Sequence, residues 1–177
     1  KRQIISLASL GHTYSGIHGA VGVDVSLDAL EVAQNNKDIN NVPYVELIQS
    51  DMFEALEGSG MKFDVIVSNP PYIPTRVIKG LDEEVRLHDP FIALDGDEDG
   101  LKFYRIITDK ARDYLNKDGY LCYEIGHDQA AKVSDILSSY GYNDIRVIKD
   151  LAGLDRVVVA RYYGTSVRLS LIHISEP

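Results

Sequence analysis

The sequence predicts an α/β fold built on a mostly parallel sheet, with an antiparallel hairpin at one edge. Short runs of β-branched residues alternate with segments of helical periodicity, a pattern typical of β-α-β units. Near the end of the chain, two strand-like runs follow one another directly, which favours the hairpin. A chain of 177 residues suits a single domain, and we expect that domain over residues 1–165.

Six short apolar runs predict strands, at residues 19–25, 45–49, 63–68, 120–125, 144–149 and 156–161. Between the first two runs, Ser26 is a typical N-cap, and a helix is expected from there to about Gln34. The opening residues 4–11 end at a glycine and are also predicted to be helical. No strand is therefore expected before the run that begins at residue 19.

Two further helices are predicted in the second half of the chain. Apolar side chains recur at helical spacing over residues 104–115, and that helix is expected to stop at Gly119. A second apolar stripe covers residues 133–140, with Gly141 placed just beyond its end, where a left-handed residue commonly closes a helix.

Composition and charge narrow the class of protein. Lys and Arg number 18 against 27 Asp and Glu, a formal net charge of −9, which argues against a protein that grips bare nucleic acid through its overall field. Cys122 is the only cysteine, so no disulfide can form within the chain and a reducing cytoplasm is the expected location. Since no run of 18 apolar residues occurs, no membrane partner is expected.

The most informative motif, Asn69-Pro70-Pro71-Tyr72, follows a predicted buried strand. The two prolines cannot continue a strand ladder, and they stiffen the loop. The Asn69 side-chain oxygen and the Pro70 carbonyl can each accept a hydrogen bond from an NH2 group, which turns the face of a planar nitrogen towards a methyl donor. Tyr72 offers a ring for a flat amide or base. The motif predicts methyl transfer to such a nitrogen, and a rigid turn is the alternative.

Two acids follow the strands that precede this motif. Asp24 ends a strand directly before a helix, where a carboxylate can bind both hydroxyls of a nucleoside ribose; capping of the helix is its alternative role. Asp51 can accept a hydrogen bond from an adenine amino group, with Met52 or Phe53 packed against the base. The alternative there is a strand-ending turn with core residues behind it. Ligands in open α/β sheets bind beyond the carboxyl ends of the strands, so these loops are expected to share one site.

No metal site is predicted. The acidic run 95–100 copies the first half of a calcium-binding loop, but Ile106 stands at the twelfth position, where a bidentate glutamate is needed, so a solvated turn is expected. The five histidines lack metal-ligand spacing. Cys122 lies in mid-strand, where an inert core thiol is expected.

Several stretches resemble the bacterial release factor glutamine methyltransferases of the HemK/PrmC type. The resemblance covers about residues 4–163 and is carried by residues 69–73, 85–94, 99–101, 103–105, 124–126, 128–129 and 149–158. The Asn-Pro-Pro-Tyr motif alone is shared with methyltransferases that act on amino groups of adenine, cytosine or guanine. The later stretches are more specific to the protein-glutamine branch.

The resemblance implies a Rossmann-like, seven-stranded methyltransferase fold that uses S-adenosylmethionine. It also implies methylation of the side-chain amide of the glutamine in the Gly-Gly-Gln motif of class-1 peptide release factors, with no direct nucleic-acid partner. In this family, the residue that matches Asp24 holds the ribose, and those that match Asp51 and Met52 flank the adenine.

The same resemblance implies that the target glutamine is bound by Asn69, Pro70, Pro71 and Tyr72, and that Asn69 also lies near the donor methyl. Catalysis would then rest on Asn69, Pro70 and Tyr72. No general base is evident, so positioning and electrostatics are expected to supply most of the rate.

The chain departs from this family at both ends. The family's N-terminal helical domain, its first strand and the glycine-rich turn near the methionine part of the cofactor are absent, and residues 4–11 match the helix after that turn. The sheet is therefore expected to lack its central strand and to leave two edges facing a gap. We expect a truncated product with weak or no cofactor binding and no activity of its own. Residues 166–177 are expected to be a non-native tail.

Three alternatives stay open: a nucleic-acid base amino-methyltransferase, the related ribosomal-protein glutamine methyltransferase, and an inert binding scaffold. Base chemistry on a folded nucleic acid requires a basic groove and a flipped base. The net charge of −9 disfavours such a groove.

Overall fold

Seven strands form one mixed sheet in the computed structural model, which describes residues 5–10, 17–78 and 95–164. The strands are β1 (Ile5–Leu10), β2 (Ile17–Asp24), β3 (Val45–Gln49), β4 (Phe63–Ser68), β5 (Leu115–Glu124), β6 (Asn143–Lys149) and β7 (Asp155–Tyr162). Their order across the sheet is β3-β2-β1-β4-β5-β7-β6. The described helices are α1 (Leu27–Ile39), α2 (Thr75–Ile78), α3 (Lys102–Ala111) and α4 (Ala130–Ser139), with a 3-10 turn at Glu54–Leu56.

Most of these strands run in one direction. β2 is parallel to β3 and β4 is parallel to β5, whereas β1 is antiparallel to both β2 and β4. At the other side of the sheet, β7 runs antiparallel to β5 and to β6. Among the described strands, β1 and β7 are therefore reversed with respect to the other five. The predicted α/β class, the mostly parallel sheet and the C-terminal hairpin are confirmed.

The opening segment is a strand, so the helix predicted over residues 4–11 is wrong. Ile5 pairs with Val23 on one side and with Ser68 on the other, and β1 fills the position in which a gap was expected. The backbone N–H and C=O groups of β2 and β4 need partners there. That demand outweighs the weak local preference of a six-residue segment.

Several predicted boundaries are confirmed. β3 and β4 have the predicted bounds. Ser26 is the N-cap of α1, and its Oγ accepts a hydrogen bond from the Ala29 N–H at 3.4 Å. α1 itself continues past the predicted end at Gln34 to Ile39. Gly141 follows α4 with a φ of +86°, as expected for the residue that closes a helix.

β5 begins earlier than predicted, because α3 ends at Ala111 and not at Gly119. Gly119 lies inside β5, where a Cβ would sit 2.9 Å from the carbonyl oxygen of Asn116 and 3.1 Å from that of Asp64. This glycine is required by a close approach of backbone within the sheet and does not end a helix.

The core beneath β5 contains hydrogen-bonded tyrosines. The rings of Tyr104 and Tyr123 meet edge to face at 5.1 Å, and the Tyr123 hydroxyl lies 2.9 Å from Thr108 Oγ1. Tyr142 donates from its hydroxyl to the Thr108 carbonyl oxygen at 3.1 Å. Burial raises the pKa of all three tyrosines, so their hydroxyls remain protonated. Cys122, in mid-strand, is half-buried, and burial raises the pKa of its thiol.

No helix in the described part of the chain is long and apolar enough to cross a bilayer. Of the sequence predictions, the stretch at residues 85–94 and the tail at residues 166–177 lie outside the described residues. The division of the chain into a domain of residues 1–165 and a tail stays a prediction.

Candidate functional site

The carboxyl ends of β2 and β4 lie at the same edge of the sheet, on either side of β1. Val23 and Ser68 both pair with Ile5, the first residue of β1. Asp24 and Asn69 each follow those paired residues by one position. Neighbouring strands lie about 4.8 Å apart, so two strand spacings, about 10 Å, separate the backbones of Asp24 and Asn69. The structure brings these two predicted site residues to one edge.

Two more acidic residues extend this edge. The last residues of β2 and β3 pair with each other, and β4 and β5 pair in register up to their ends. Asp51, two residues beyond β3, therefore follows the strand beside Asp24, and Glu124, the last residue of β5, belongs to the strand beside Asn69. Parallel strands thus deliver three carboxylates and one carboxamide to the edge where α/β sheets bind ligands.

Asp24 is 2% exposed, and it accepts two hydrogen bonds from nearby backbone N–H groups. Its Oδ1 accepts a hydrogen bond from the Ser26 N–H at 2.7 Å, and its carbonyl oxygen accepts one from the Ser50 N–H at 3.0 Å. The first contact orders the turn into α1, whose N-cap is Ser26 and not Asp24. The second ties the ends of β2 and β3 together, so the Asp24 carboxylate has a fixed position at the edge.

The turn after β3 separates the two residues that were considered for adenine packing. Phe53 is 3% exposed, and its ring stacks on Tyr114 with centroids 4.8 Å apart. Phe53 is therefore part of the core. Met52 is only half-buried and has a left-handed backbone φ of +48°, a conformation that costs a non-glycine residue about 1 kcal/mol. With Asp51 exposed beside it, Met52 is the one of the pair that remains at the surface.

The motif Asn69-Pro70-Pro71-Tyr72, called here the 69–72 loop, leaves the sheet directly after Ser68, as predicted. Both prolines are buried, whereas Asn69 and Tyr72 are half-buried. A loop with buried prolines has little freedom to rearrange, so the backbone of Asn69 and the carbonyl oxygen of Pro70 are held in place.

Gln129 fixes the far end of this loop, a role that sequence reasoning missed. Its Nε2 donates to the carbonyl oxygens of Tyr72 at 3.0 Å and of Gly100 at 3.2 Å, while its Oε1 accepts from the Gly126 N–H at 3.0 Å. The sequence signal was present, since Gln129 lies in one of the stretches that carry the family resemblance. Its contact with Tyr72 spans 57 residues, and only the fold reveals it.

Gly100 makes this arrangement sterically possible. It has a φ of +74°, and a Cβ on it would lie 2.4 Å from the Tyr72 carbonyl oxygen. A side chain there is excluded both by the left-handed backbone and by the contact. The turn before α3 therefore packs directly on the end of the 69–72 loop.

The end of β5 is held by a further set of contacts. Arg156 binds the Asp150 carboxylate through Nε and Nη2 at 3.2 and 3.1 Å and donates from Nη1 to the Ile125 carbonyl oxygen at 3.3 Å. On the core side, the Tyr104 hydroxyl donates to the Glu124 carbonyl oxygen at 2.8 Å. These contacts anchor the backbone on the side of the 69–72 loop away from β1.

The acidic run near Gly100 is organised by its own neighbours. Asp97 pairs with Lys102 at 3.2 Å and Asp99 with Arg105 at 2.5 Å. The Glu98 N–H and Lys102 hold the pKa of Asp97 below its usual value, and Arg105 does the same for the pKa of Asp99. Within residues 5–10, 17–78 and 95–164, no group of three or more His, Cys, Asp or Glu side chains is arranged to hold a metal ion.

Comparison with known proteins shows which curated proteins are similar to this chain in sequence. The chain is 46% identical over 142 residues to a release factor glutamine methyltransferase of Agrobacterium fabrum, a match that covers 80% of this chain and 48% of that protein. It is 38% identical over 160 residues to a release factor glutamine methyltransferase of Clostridium botulinum, covering 82% of this chain and 56% of that protein. The chain thus spans about half the length of the curated relatives that it matches.

A solved structure gives the same fold. A methyltransferase from Pyrococcus furiosus superposes with a TM-score of 0.58 at 22% identity, covering 82% of this chain and 62% of that one. Residues 6–139 match the family described as the methyltransferase small domain. This match includes the strands that carry Asp24, Asp51 and the 69–72 loop. The chain belongs to the methyltransferase small domain family.

Proposed function

We propose that this chain forms the catalytic part of an S-adenosylmethionine-dependent protein methyltransferase. Its substrate would be the side-chain amide of the glutamine in the Gly-Gly-Gln motif of class-1 peptide release factors. The observation that carries the proposal is the shared sheet edge, at which the 69–72 loop follows β4 and the buried Asp24 ends β2, with β1 as the single strand between them. The names of the relatives at 46% and 38% identity support a glutamine of a release factor as the substrate.

The residues at the edge fit the nucleoside part of the cofactor. Asp24 is an anionic acceptor with a fixed backbone, suited to the two ribose hydroxyls. Asp51 is exposed beside it and can accept from the adenine amino group, while half-buried Met52 offers an apolar surface to the base. When bound, the cofactor supplies a methyl group on a positively charged sulfur.

The 69–72 loop would orient the target nitrogen. Asn69 Oδ1 and the Pro70 carbonyl oxygen each accept one hydrogen of the glutamine NH2 group, while the Tyr72 ring lies against the flat amide. With both hydrogens held, the nitrogen turns its face towards the methyl carbon. The cofactor would supply the methyl carbon to that face, and the amide nitrogen would lose one of its two protons to solvent once it carries the methyl group. Positioning of this kind can supply much of the rate without a general base.

The proposal is tested with the whole protein that carries this chain. The purified protein is incubated with a class-1 release factor and cofactor labelled in its methyl group, and the labelled residue is located by peptide mapping. We expect label on the Gly-Gly-Gln glutamine and none on a release factor in which that glutamine is replaced by alanine. Parallel reactions contain ribosomal protein or RNA in place of the release factor. Label in one of these, with none on the release factor, would replace the proposal with the corresponding alternative substrate. Release factors act in the cytoplasm, and we expect the protein there.

A further inference from the structure

The side chain of Gln129 makes long-range contacts that its position at the start of α4 does not require. It is 7% exposed and lies directly before α4, yet its side chain reaches two loops that are distant in sequence, at Tyr72 and Gly100, as well as the Gly126 N–H of its own turn. We infer that Gln129 is a positioning residue that holds the 69–72 loop in the shape that receives the target amide. This inference rests on the proposed function.

The contacts of Gln129 match the chemistry of a carboxamide. The two Nε2 hydrogens serve the carbonyl oxygens of Tyr72 and Gly100, and Oε1 serves the Gly126 N–H. An ionised glutamate would offer no donor to the two carbonyls, and a methionine of similar length would offer no donor and only a weak acceptor. An asparagine is one methylene shorter. Of the natural side chains of this length, glutamine alone supplies two donors and one acceptor from one planar group.

Two glycines allow the backbone to approach the Gln129 side chain closely. A Cβ on Gly126 would lie 3.0 Å from Gln129 Oε1, and one on Gly100 would lie 3.0 Å from Gln129 Nε2. The side chain is therefore enclosed by backbone on both sides. Since the 69–72 loop is stiffened by its prolines, a shift of the Tyr72 carbonyl would be passed to the whole loop.

The expected effect on the reaction follows from this geometry. The Tyr72 carbonyl belongs to the last residue of the 69–72 loop, so its position sets where the loop ends relative to the acceptor oxygens of Asn69 and Pro70. A displacement of about 1 Å in a positioning group costs about 100-fold in rate. The cofactor contacts proposed for Asp24 and Asp51 come from other strands and are not touched by Gln129. Loss of Gln129 should therefore lower kcat and leave cofactor affinity unchanged.

The experiment compares Gln129→Met and Gln129→Glu with Tyr142→Phe in the whole protein. Tyr142→Phe is the matched control, because it also removes a buried side-chain hydrogen bond to a backbone carbonyl, at Thr108. Four quantities are measured: kcat and KM for a release factor, the Kd for S-adenosylmethionine, and hydrogen exchange at the amides of Tyr72 and Ile73. The prolines have no N–H, so these two amides report on the end of the loop.

We expect exchange at Tyr72 and Ile73 to rise at least tenfold in Gln129→Met, and kcat per folded molecule to fall about 100-fold with the cofactor Kd unchanged. Tyr142→Phe should lower the stability of the protein but leave kcat and the exchange at Tyr72 and Ile73 unchanged. If Gln129→Glu does not fold, Gln129→Met still decides the question. Unchanged exchange, or an unchanged kcat in an active protein, would overturn the inference. If the unmodified protein labels no release factor while exchange still rises in Gln129→Met, the proposed function fails and Gln129 remains a loop-holding residue only.

Discussion

The α-carbon of Gly100 faces the carbonyl oxygen of Tyr72 so closely that a Cβ would lie 2.4 Å from that oxygen. We expect Gly100→Ala to destabilise the protein by more than about 2 kcal/mol, since the left-handed backbone costs alanine about 1 kcal/mol before any steric conflict is counted. Gly153→Ala is the matched control, because Gly153 has a φ of +78° with no atom near its Cβ position. The free energy of unfolding in urea measures both. An equal loss in the two variants would contradict the close contact.

Asn69→Ala should abolish most methyl transfer without unfolding the protein. Removal of one preorganised polar group at a reacting centre costs about 100-fold or more in kcat. The matched control is Asn116→Ala, which removes a half-buried asparagine bound to Asp64 at 2.9 Å near the other end of β5. Single-turnover kinetics on a release factor measure the rate. A rate in Asn69→Ala equal to that of the control would remove the role proposed for this residue.

Asp24→Asn should weaken cofactor binding at least tenfold while it leaves the start of α1 intact. The Asn side-chain oxygen can still accept the Ser26 N–H that Asp24 Oδ1 accepts now, so the variant removes the charge and keeps the turn. Asp28→Asn, at an exposed acid in the first turn of α1, serves as the control. Isothermal titration of S-adenosylmethionine and circular dichroism are the measurements. An unchanged Kd in Asp24→Asn would show that the carboxylate acts only in the turn.

The 177-residue chain by itself should bind S-adenosylmethionine weakly. β1 is antiparallel to its neighbours, so its carboxyl end at Leu10 lies at the edge opposite Asp24 and Asn69. A glycine-rich turn that follows a parallel central strand is therefore not part of the described site. Isothermal titration of this chain measures the affinity directly. Micromolar binding would show that the described edge is sufficient without that turn.

Asp150 should contribute stability that is lost in acid. The Leu154 N–H, and then Arg156 and the Ala152 N–H, hold the pKa of Asp150 below its ordinary value of 3.8 in the folded chain. The unfolded chain binds the proton more readily, so this contribution is fully present above about pH 4 and falls as the pH drops through the lower, folded pKa. The difference in unfolding free energy between Asp150→Asn and the unmodified protein should thus be larger at pH 7 than at pH 3. A constant difference would contradict the lowered pKa.

Local chemistry explains which parts of the fold could be predicted. Ser26 and Gly141 carry cap preferences that act within one helical turn, and the prolines after Ser68 end β4 wherever the chain goes next. Ile5–Leu10 and Gly119 could not be assigned in this way. The first becomes a strand because two neighbouring strands need partners, and the second is needed because backbone from Asp64 comes close to it.

The candidate site likewise contains residues that local sequence predicts and residues whose role only the fold reveals. Asp24, Asp51 and the 69–72 loop could be found because each follows a strand, and parallel strands place such residues at one edge. Gln129 could not be given its role, because that role depends on Tyr72 and Gly100 meeting far from their neighbours in sequence. The sequence leaves Phe53 open between base packing and the core, and its stacking on Tyr114 shows that it faces inwards.

In the described sheet, β1 is the single strand that joins the β2–β3 pair to β4 and the strands beyond it. The ladder hydrogen bonds that link the two halves therefore all run through six residues. Detachment of β1 would separate Asp24 from the 69–72 loop, even if each half of the sheet kept its own strand pairing. The two halves of the sheet thus unfold together only as long as β1 stays in place, and β1 is the strand that the local sequence does not predict.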